Sequence, residues 1–256
     1  MKGYSACVEM LFREAPFAGR ARLARDAGYE AVEFWRWHDK DLSGISEAKM
    51  PVAAALVDSA DEKRRETFSR TGMLARESRS LFPEMVEESC EVISALGNLL
   101  IIAPGQALSA LSRGAQEDNI IECLLAARPV LKKWDMALAI ESLNPIVDHV
   151  GSYLNASAQA FSIARAAGAG RIGVLFDIYH QQITEGNLIA NIRADVGLIK
   201  HFHVADVPGR HEPGTGEINY KNVIAAIRES GYEGYIGCEF TPTGPSAEAS
   251  KYLLSL

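Results

Sequence analysis

The segment IGVLFDIYHQQITEG, residues 172–186, joins an apolar run to two ionisable side chains. Positions 172–176 carry no polar side chain, as expected for a β-strand that is buried on both faces. The run ends on Asp177, and His180 follows three residues later. A doubly buried strand that ends in a carboxylate is typical of a parallel sheet whose strand ends form a polar site.

Similar apolar runs recur along the chain and alternate with helical patterns. Eight runs are predicted as strands: residues 4–10, 31–35, 52–57, 98–103, 136–141, 172–177, 199–206 and 235–240. Between them, apolar residues recur at helical spacing over residues 17–28, 83–96, 117–134, 156–167, 187–197 and 219–230. Eight such cycles close most simply into a single (β/α)8 TIM barrel, a fold of class α/β that would occupy residues 1–256 as one domain.

The third cycle is the weakest part of this pattern. Residues 58–82 are polar and poorly periodic. They are predicted to form a long loop after the third strand, and such a loop could act as a mobile lid over the site.

Composition excludes several classes of protein. A net charge of −7 and the lack of a long basic run argue against a nucleic-acid partner. The four cysteines are widely spaced without a CxxC pair, which indicates neither disulfides nor a thiolate metal site and fits a reducing, cytoplasmic setting. No apolar run approaches the length of a membrane span, and the N-terminus lacks the apolar region of a signal peptide.

Four ionisable residues stand at the ends of consecutive predicted strands: Glu141, Asp177, His203 and Glu239. A single strand-end carboxylate is more often a helix cap or a surface residue. Four of these groups at one barrel mouth would repel one another unless a cation lay between them. Oxygen-rich ligation with one imidazole suits one divalent ion, Mn²⁺ or Mg²⁺ above all.

Further polar residues lie close to these strand ends in sequence. His180 and His149 follow the sixth and fifth strands, and Arg210 lies in the loop ADVPGRHEPGTGEINY, residues 205–220, which is predicted to face a substrate. His149 also fits an ordinary solvated loop histidine. His201 would share the inward face of its strand with His203 and hydrogen-bond inside the barrel. Three residues at the end of the second strand fit either a pocket wall or aromatic packing: Trp35, Trp37 and His38.

The motifs ESLNP, FDIYHQQITEGNL, HFHVAD, GRHEPGTGEINY and GCEF together resemble the hydroxypyruvate isomerase group of the xylose isomerase-like TIM barrels. The resemblance spans almost the whole chain and is densest from Glu141 to Glu239. It implies one divalent metal, Mn²⁺ or Mg²⁺ with Co²⁺ or Zn²⁺ as alternatives, on the four strand-end residues. It also implies that Glu141 and Glu239 are catalytic, and that His180 and Arg210 bind the substrate.

The implied activity is isomerisation of a small sugar or hydroxy-keto acid such as hydroxypyruvate, a ketose or a tetronate. A metal on a carbonyl and its adjacent hydroxyl would acidify the carbon-bound proton, and the proton would move through a cis-enediolate. Return of the proton to the neighbouring carbon gives isomerisation, whereas return to the opposite face gives epimerisation. A ketose 3-epimerase on the same metal site is therefore the main alternative.

Two departures from the family pattern concern the substrate. Many hydroxypyruvate isomerases carry Gln at the position of His203, and His there resembles the epimerases. The epimerases usually carry a further Glu where this chain has Val147, Asp148 and His149. His149 could therefore supply an acid or base to the substrate.

Three other functions are weaker alternatives. A C-glycoside-cleaving subunit is similar in fold, and a binding subunit without turnover would keep the barrel. An endonuclease IV-like enzyme would need more histidines than the six present and a surface that holds phosphates. Barrels of this group often pair, so a homodimer or homotetramer is an expected assembly.

Overall fold

The computed structural model describes residues 1–256 as a closed barrel of eight parallel strands surrounded by helices. The strands are β1 (Gly3–Cys7), β2 (Ala31–Phe34), β3 (Val52–Leu56), β4 (Leu99–Ile102), β5 (Ala137–Glu141), β6 (Ile172–Asp177), β7 (Ile199–Val204) and β8 (Tyr235–Cys238). Each strand pairs with the next along the chain, and β8 pairs with β1. The predicted (β/α)8 barrel and all eight of its strands are confirmed.

Ten helices cover the barrel and its ends. They are α1 (Phe17–Asp26), α2 (Ser43–Ala48), α3 (Glu62–Thr71), α4 (Ser78–Ile93), α5 (Arg113–Lys133), α6 (Ser157–Ala166), α7 (Ile178–Thr184), α8 (Leu188–Asp195), α9 (Tyr220–Glu229) and α10 (Ser246–Leu254). A short 3₁₀ turn, Val196–Leu198, precedes β7. None of these helices combines the length and the apolar character that crossing a lipid bilayer requires.

Strand β6 shows why its sequence is apolar throughout. Val174 and Phe176 face outward into the core between the sheet and the helices. Leu175 faces inward and packs with Ala54, Leu99, Ile101 and Ala139 in a small cluster that fills the barrel. Both faces of the strand are therefore buried, and only its C-terminal residue, Asp177, meets the polar mouth of the barrel.

The prediction of a long loop over residues 58–82 is wrong. Residues 62–71 form α3, and α4 begins at Ser78 rather than near residue 83. The Asp61 carboxylate caps α3 by accepting a hydrogen bond from the Arg64 amide at 2.8 Å. Arg64 also pairs with Glu84 at 2.8 Å and with Glu88 on α4. Because no residue of α3 is buried, the helix carries no apolar stripe and its sequence shows no helical period.

Helix α7 was also not predicted, and it changes the setting of His180. This residue follows the sixth strand as predicted, but it lies in the first turn of a helix, α7. Asp177 caps that turn, because its Oδ1 accepts hydrogen bonds from the amides of Tyr179 at 2.8 Å and His180 at 3.2 Å. A helical backbone therefore fixes the direction of the His180 side chain.

The loop after β7 is held by one buried carboxylate. Asp206 is fully buried and accepts hydrogen bonds from the amides of Val207 at 3.0 Å, Gly214 at 2.8 Å and Ile218 at 3.1 Å. These bonds close the loop on itself around Arg210. The loop is therefore held in one conformation, although it is rich in glycine and charged residues.

Substitution of Asp206 by Ala is expected to lower the free energy of unfolding by about 2–4 kcal/mol, because three backbone donors lose their acceptor. Urea denaturation measures the loss, and faster amide exchange at Ile218 would locate it in the loop. Glu233→Ala is the control, since Glu233 is exposed and makes no side-chain hydrogen bond, so its change should stay within about 0.5 kcal/mol. Equal stability of the two variants would contradict this role of Asp206.

Candidate active site at the barrel mouth

Four ionisable side chains from consecutive strands meet at the carboxyl-terminal mouth of the barrel. Glu141 ends β5, Asp177 ends β6, His203 lies in β7 and Glu239 follows β8. One donor atom of each lies within 4.8 Å of those of the other three, and all four side chains are buried. In the strand register Asp177 lies beside His203, so parallel pairing itself brings these donors together.

The chemistry of this four-residue cluster fits a cation. Three carboxylates this close would repel one another by on the order of 3 kcal/mol per pair at an effective dielectric constant of about 20. Glu141 Oε1 and His203 Nδ1 are buried and make no hydrogen bond. Buried polar atoms are nearly always paired, so two unpaired atoms facing one point indicate ligands.

The protein itself balances part of this charge. Burial alone would lower the pKa of His203, but the carboxylates of Glu239 and Glu33 outweigh it and hold that pKa well above its ordinary value. Burial alone would raise the pKa of Glu239, but His203 and Arg210 hold it well below its usual range. Glu239 therefore remains an anion at neutral pH.

Glu239 is held from two sides. The Trp35 indole Nε1–H donates to Oε1 at 2.7 Å, and the Arg210 guanidinium donates to Oε2 at 2.5 Å. Arg210 in turn lies over the Tyr179 ring, 5.3 Å from its centroid. Its backbone oxygen accepts a hydrogen bond from the Thr241 amide at 2.8 Å, which joins the loops after β7 and β8. The carboxylate is thus fixed in one orientation.

A chain of hydrogen bonds assigns the tautomer of His180. Asn144 Oδ1 accepts bonds from the amides of Val147 at 2.9 Å and Asp148 at 3.2 Å, so its Nδ2 group is the donor. That group donates to Asp148 Oδ2 and to His180 Nδ1, both at 2.7 Å. Because Nδ1 accepts, a neutral His180 carries its proton on Nε2. Nε2 is buried without a hydrogen-bond partner and lies 3.5 Å from Asp177 Oδ2, so its proton is available to a substrate oxygen beside the four-residue cluster.

His149 lies next to His180 on the loop after β5, with 5.3 Å between the ring centroids. Burial and the nearby charges of His180 and Arg210 lower the pKa of His149, which favours its neutral form. The same loop exposes three apolar side chains to solvent: Ile146, Val147 and Val150.

A cavity of about 290 Å³ opens above the four-residue cluster. One wall is apolar: Trp35, Leu56, Ile101, Ala103 and Leu143. The other wall is polar: Glu141, His149, His180, Arg210 and Glu239. Five of the seven predicted site residues thus line the cavity, while Asp177 and His203 do not. Trp35 lines it as well, whereas Trp37 is buried against Ser89 and His38 pairs with Asp58.

A larger cleft of about 600 Å³ lies at the opposite end of the barrel, beside α5 and the turn at residues 168–171. Its charged lining is wholly basic: Arg128, Lys132 and Arg171. Without a carboxylate or an imidazole it offers no acid–base pair and no metal ligand set.

Two residues near the site were not predicted. Asn144, which orients His180, stands in the motif ESLNP without a distinguishing pattern of its own. Glu33 is buried inside the barrel beside both histidines of β7. Burial would raise its pKa, but His203 and His201 lower it to about 2. Glu33 did leave a signal, since it is the one acid within the apolar run AVEFW.

A parallel barrel with acids and histidines gathered at its mouth defines a TIM barrel of the kind that carries an enzyme active site. The family model described as "Xylose isomerase-like TIM barrel" matches residues 21–256. The chain belongs to this family.

Curated relatives match nearly the whole length of the chain. Hydroxypyruvate isomerase from Escherichia coli is 32% identical, with 94% of each chain covered. 2-Oxo-tetronate isomerase from Cupriavidus necator is 29% identical, with 96% of each covered. The relatives named here are isomerases.

Solved structures agree on the fold. A structure titled "AP endonuclease, family 2" from Brucella melitensis superposes with a TM-score of 0.89 at 26% identity, covering 100% of this chain and 99% of the other. Several sugar epimerases share the barrel at 20% identity or less, a likeness that shows the fold alone.

Proposed function

We propose that this protein is a divalent-metal-dependent isomerase of a small hydroxy-keto acid such as hydroxypyruvate or a 2-oxo-tetronate. The observation that carries the proposal is the convergence of four buried donors, two of them glutamates that also line the cavity. The names of the curated relatives support the same reaction class. The proposal takes residues 1–256 as one catalytic domain that acts in the cytoplasm, as a homodimer or homotetramer.

Glu141, Asp177, His203 and Glu239 are the proposed metal ligands. Their three carboxylates and one imidazole favour Mn²⁺ or Mg²⁺, and Co²⁺ or Zn²⁺ are acceptable to the same donors. When bound, such an ion polarises a carbonyl and an adjacent hydroxyl and so acidifies the hydrogen on the carbon between them.

The two glutamates are the proposed acid–base residues. One removes the proton from the carbon beside the substrate carbonyl, and a carboxylic acid returns a proton to the neighbouring carbon. Arg210 and Trp35 keep Glu239 anionic and oriented at the cavity wall. His180 donates a hydrogen bond from Nε2 to a substrate oxygen. Arg210 and His149 bind other polar groups of the substrate.

The cavity favours a short substrate. Its apolar wall offers no partner for the hydroxyl groups of a longer sugar. Unpaired hydroxyls against that wall would each lose hydrogen bonds to water. A hydroxy-keto acid of three or four carbons avoids this cost.

A ketose 3-epimerase is the second candidate, and His203 favours it because the resemblance associates histidine there with the epimerases. A nuclease activity, as in the name of the Brucella melitensis protein, is disfavoured by the net charge of −7. No feature of the cavity favours the function of a C-glycoside-cleaving subunit.

Solvent-hydrogen exchange tests the proposal. Protein loaded with Mg²⁺ and incubated in D₂O with hydroxypyruvate, a 2-oxo-tetronate or a panel of ketoses should place deuterium on the carbon next to the carbonyl, as followed by NMR. Metal analysis should find one ion per chain, and EDTA should stop the exchange until Mg²⁺ is restored. Exchange with ketoses alone would favour the epimerase. Absence of exchange with every compound would overturn both the isomerase and the epimerase. A content of three metal ions per chain would instead support a nuclease.

A further inference from the structure

A second group of ionisable side chains lies inside the barrel beneath the four-residue cluster. Glu33 on β2 is almost fully buried and faces His201 and His203 on β7. Its Oε2 accepts hydrogen bonds from Ser5 Oγ at 2.6 Å and from His201 Nε2 at 2.8 Å. Its Oε1 lies 3.0 Å from His203 Nε2, within ion-pair distance, and both atoms are buried without a hydrogen-bond partner. The carboxylate does not line the cavity, so it has no direct access to a substrate.

The fold makes room for this carboxylate at one glycine. Gly237 on β8 lies beside His203 in the strand register. A Cβ atom at position 237 would collide with both oxygens of Glu33. Burying a carboxylate costs free energy unless the group is paired and hydrogen-bonded. The presence of Glu33 inside the barrel therefore indicates a functional role.

His203 presents its two nitrogens to different partners. Nε2 faces Glu33, while Nδ1 lies 3.3 Å from Glu239 Oε2 and 3.7 Å from Glu141 Oε1. A neutral imidazole carries one proton, and only the nitrogen without it can bind a metal. The nitrogen that holds the proton is set by the hydrogen bond it makes.

We propose that Glu33 is a positioning residue that accepts a hydrogen bond from His203 Nε2–H and so keeps the Nδ1 lone pair directed at the cation site. The proposal rests on the proposed function, because it requires His203 to be a metal ligand. Ser5 and His201 occupy Oε2 and stop the carboxylate from rotating, which leaves Oε1 for His203. Carboxylate–histidine–metal arrangements of this kind tune affinity through the tautomer and basicity of the ligand.

The test measures metal binding rather than turnover. Glu33→Gln keeps the size of the side chain but removes its charge, and Mn²⁺ affinity by chelator competition should fall about 10–100-fold. Gly237→Ala displaces the Glu33 carboxylate while leaving residue 33 intact, and it should cause a similar loss. Glu30→Gln is the matched control, because it makes the same change in an acid that bonds the Tyr4 amide at the opposite end of the barrel, and affinity should change less than about 3-fold.

Two results would overturn the role of Glu33. One is wild-type Mn²⁺ affinity in a folded Glu33→Gln protein. The other, which applies even if the variants fail to fold, is ¹⁵N NMR of the Mg²⁺-loaded wild-type protein that finds His203 protonated on Nδ1. Failure of the wild-type protein to bind Mn²⁺ would instead remove the proposed function on which the inference rests, so the two failures are distinguishable.

Discussion

Glu239→Gln is expected to lower the rate of proton exchange into substrate by about 10³-fold or more. The amide cannot accept a proton, and loss of a positioned acid–base group alone costs about 10²–10⁴-fold. The substitution also removes one of the three negative charges that face the proposed cation site. Exchange rates by NMR at saturating Mg²⁺ measure the first effect, and Mn²⁺ competition measures the second.

Glu30→Gln is the control for this change. Glu30 accepts a hydrogen bond from the Tyr4 amide next to the start of β2, at the end of the barrel opposite the site. An amide oxygen can replace that acceptor, so exchange should be unchanged. A Glu239→Gln protein that exchanges hydrogen within about threefold of the wild-type rate would remove Glu239 from the chemistry.

Asp177 allows ligation to be separated from folding, because its two oxygens have different partners. Oδ1 caps α7, whereas Oδ2 points toward Arg210 at 3.8 Å and the four-residue cluster. Asp177→Asn keeps the capping oxygen and removes the charge, so metal affinity should fall more than about 100-fold. That loss exceeds the one expected when a residue that only hydrogen-bonds to a ligand is changed. Asp177→Ala should lose the same affinity and about 1 kcal/mol of metal-free stability in addition.

Urea unfolding with and without Mn²⁺ measures both parts. At Mn²⁺ concentrations of about 100 times the dissociation constant, the wild-type protein should gain about 2.7 kcal/mol. At the same concentration a 100-fold weaker Asp177→Asn site should gain only about 0.4 kcal/mol. A full metal-induced gain in the Asn variant would exclude Asp177 as a ligand.

The strands could be predicted because each carries its own signal. A strand buried on both faces must be apolar along its length, as residues 172–176 are, and no other part of the chain is needed to recognise it. Helix α3 gave no such signal. Asp61 caps its N-terminus, but the ion pairs that tie it to α4 join Arg64 to Glu84 and Glu88, which lie 20 and 24 residues away in sequence.

The predicted site residues follow the same rule. Glu141, Asp177, His203 and Glu239 could be selected because each stands at or near the end of an apolar run, and barrel topology then brings them together. The role of Asn144 depends on the fold of a loop and that of Glu33 on a contact across the barrel. Asn144 leaves no local pattern in the chain, and the acid within AVEFW marks Glu33 without indicating its partner on β7.

The link between the loops after β7 and β8 bears on how this protein could change its substrate. Thr241 N–H binds the Arg210 oxygen at 2.8 Å, and the Glu212 carboxylate accepts a bond from the Thr243 amide at 3.0 Å. Exchanging either loop alone with that of a relative would break these bonds and displace Arg210. The two loops therefore form one unit, and both must change together if Arg210 is to take a new position.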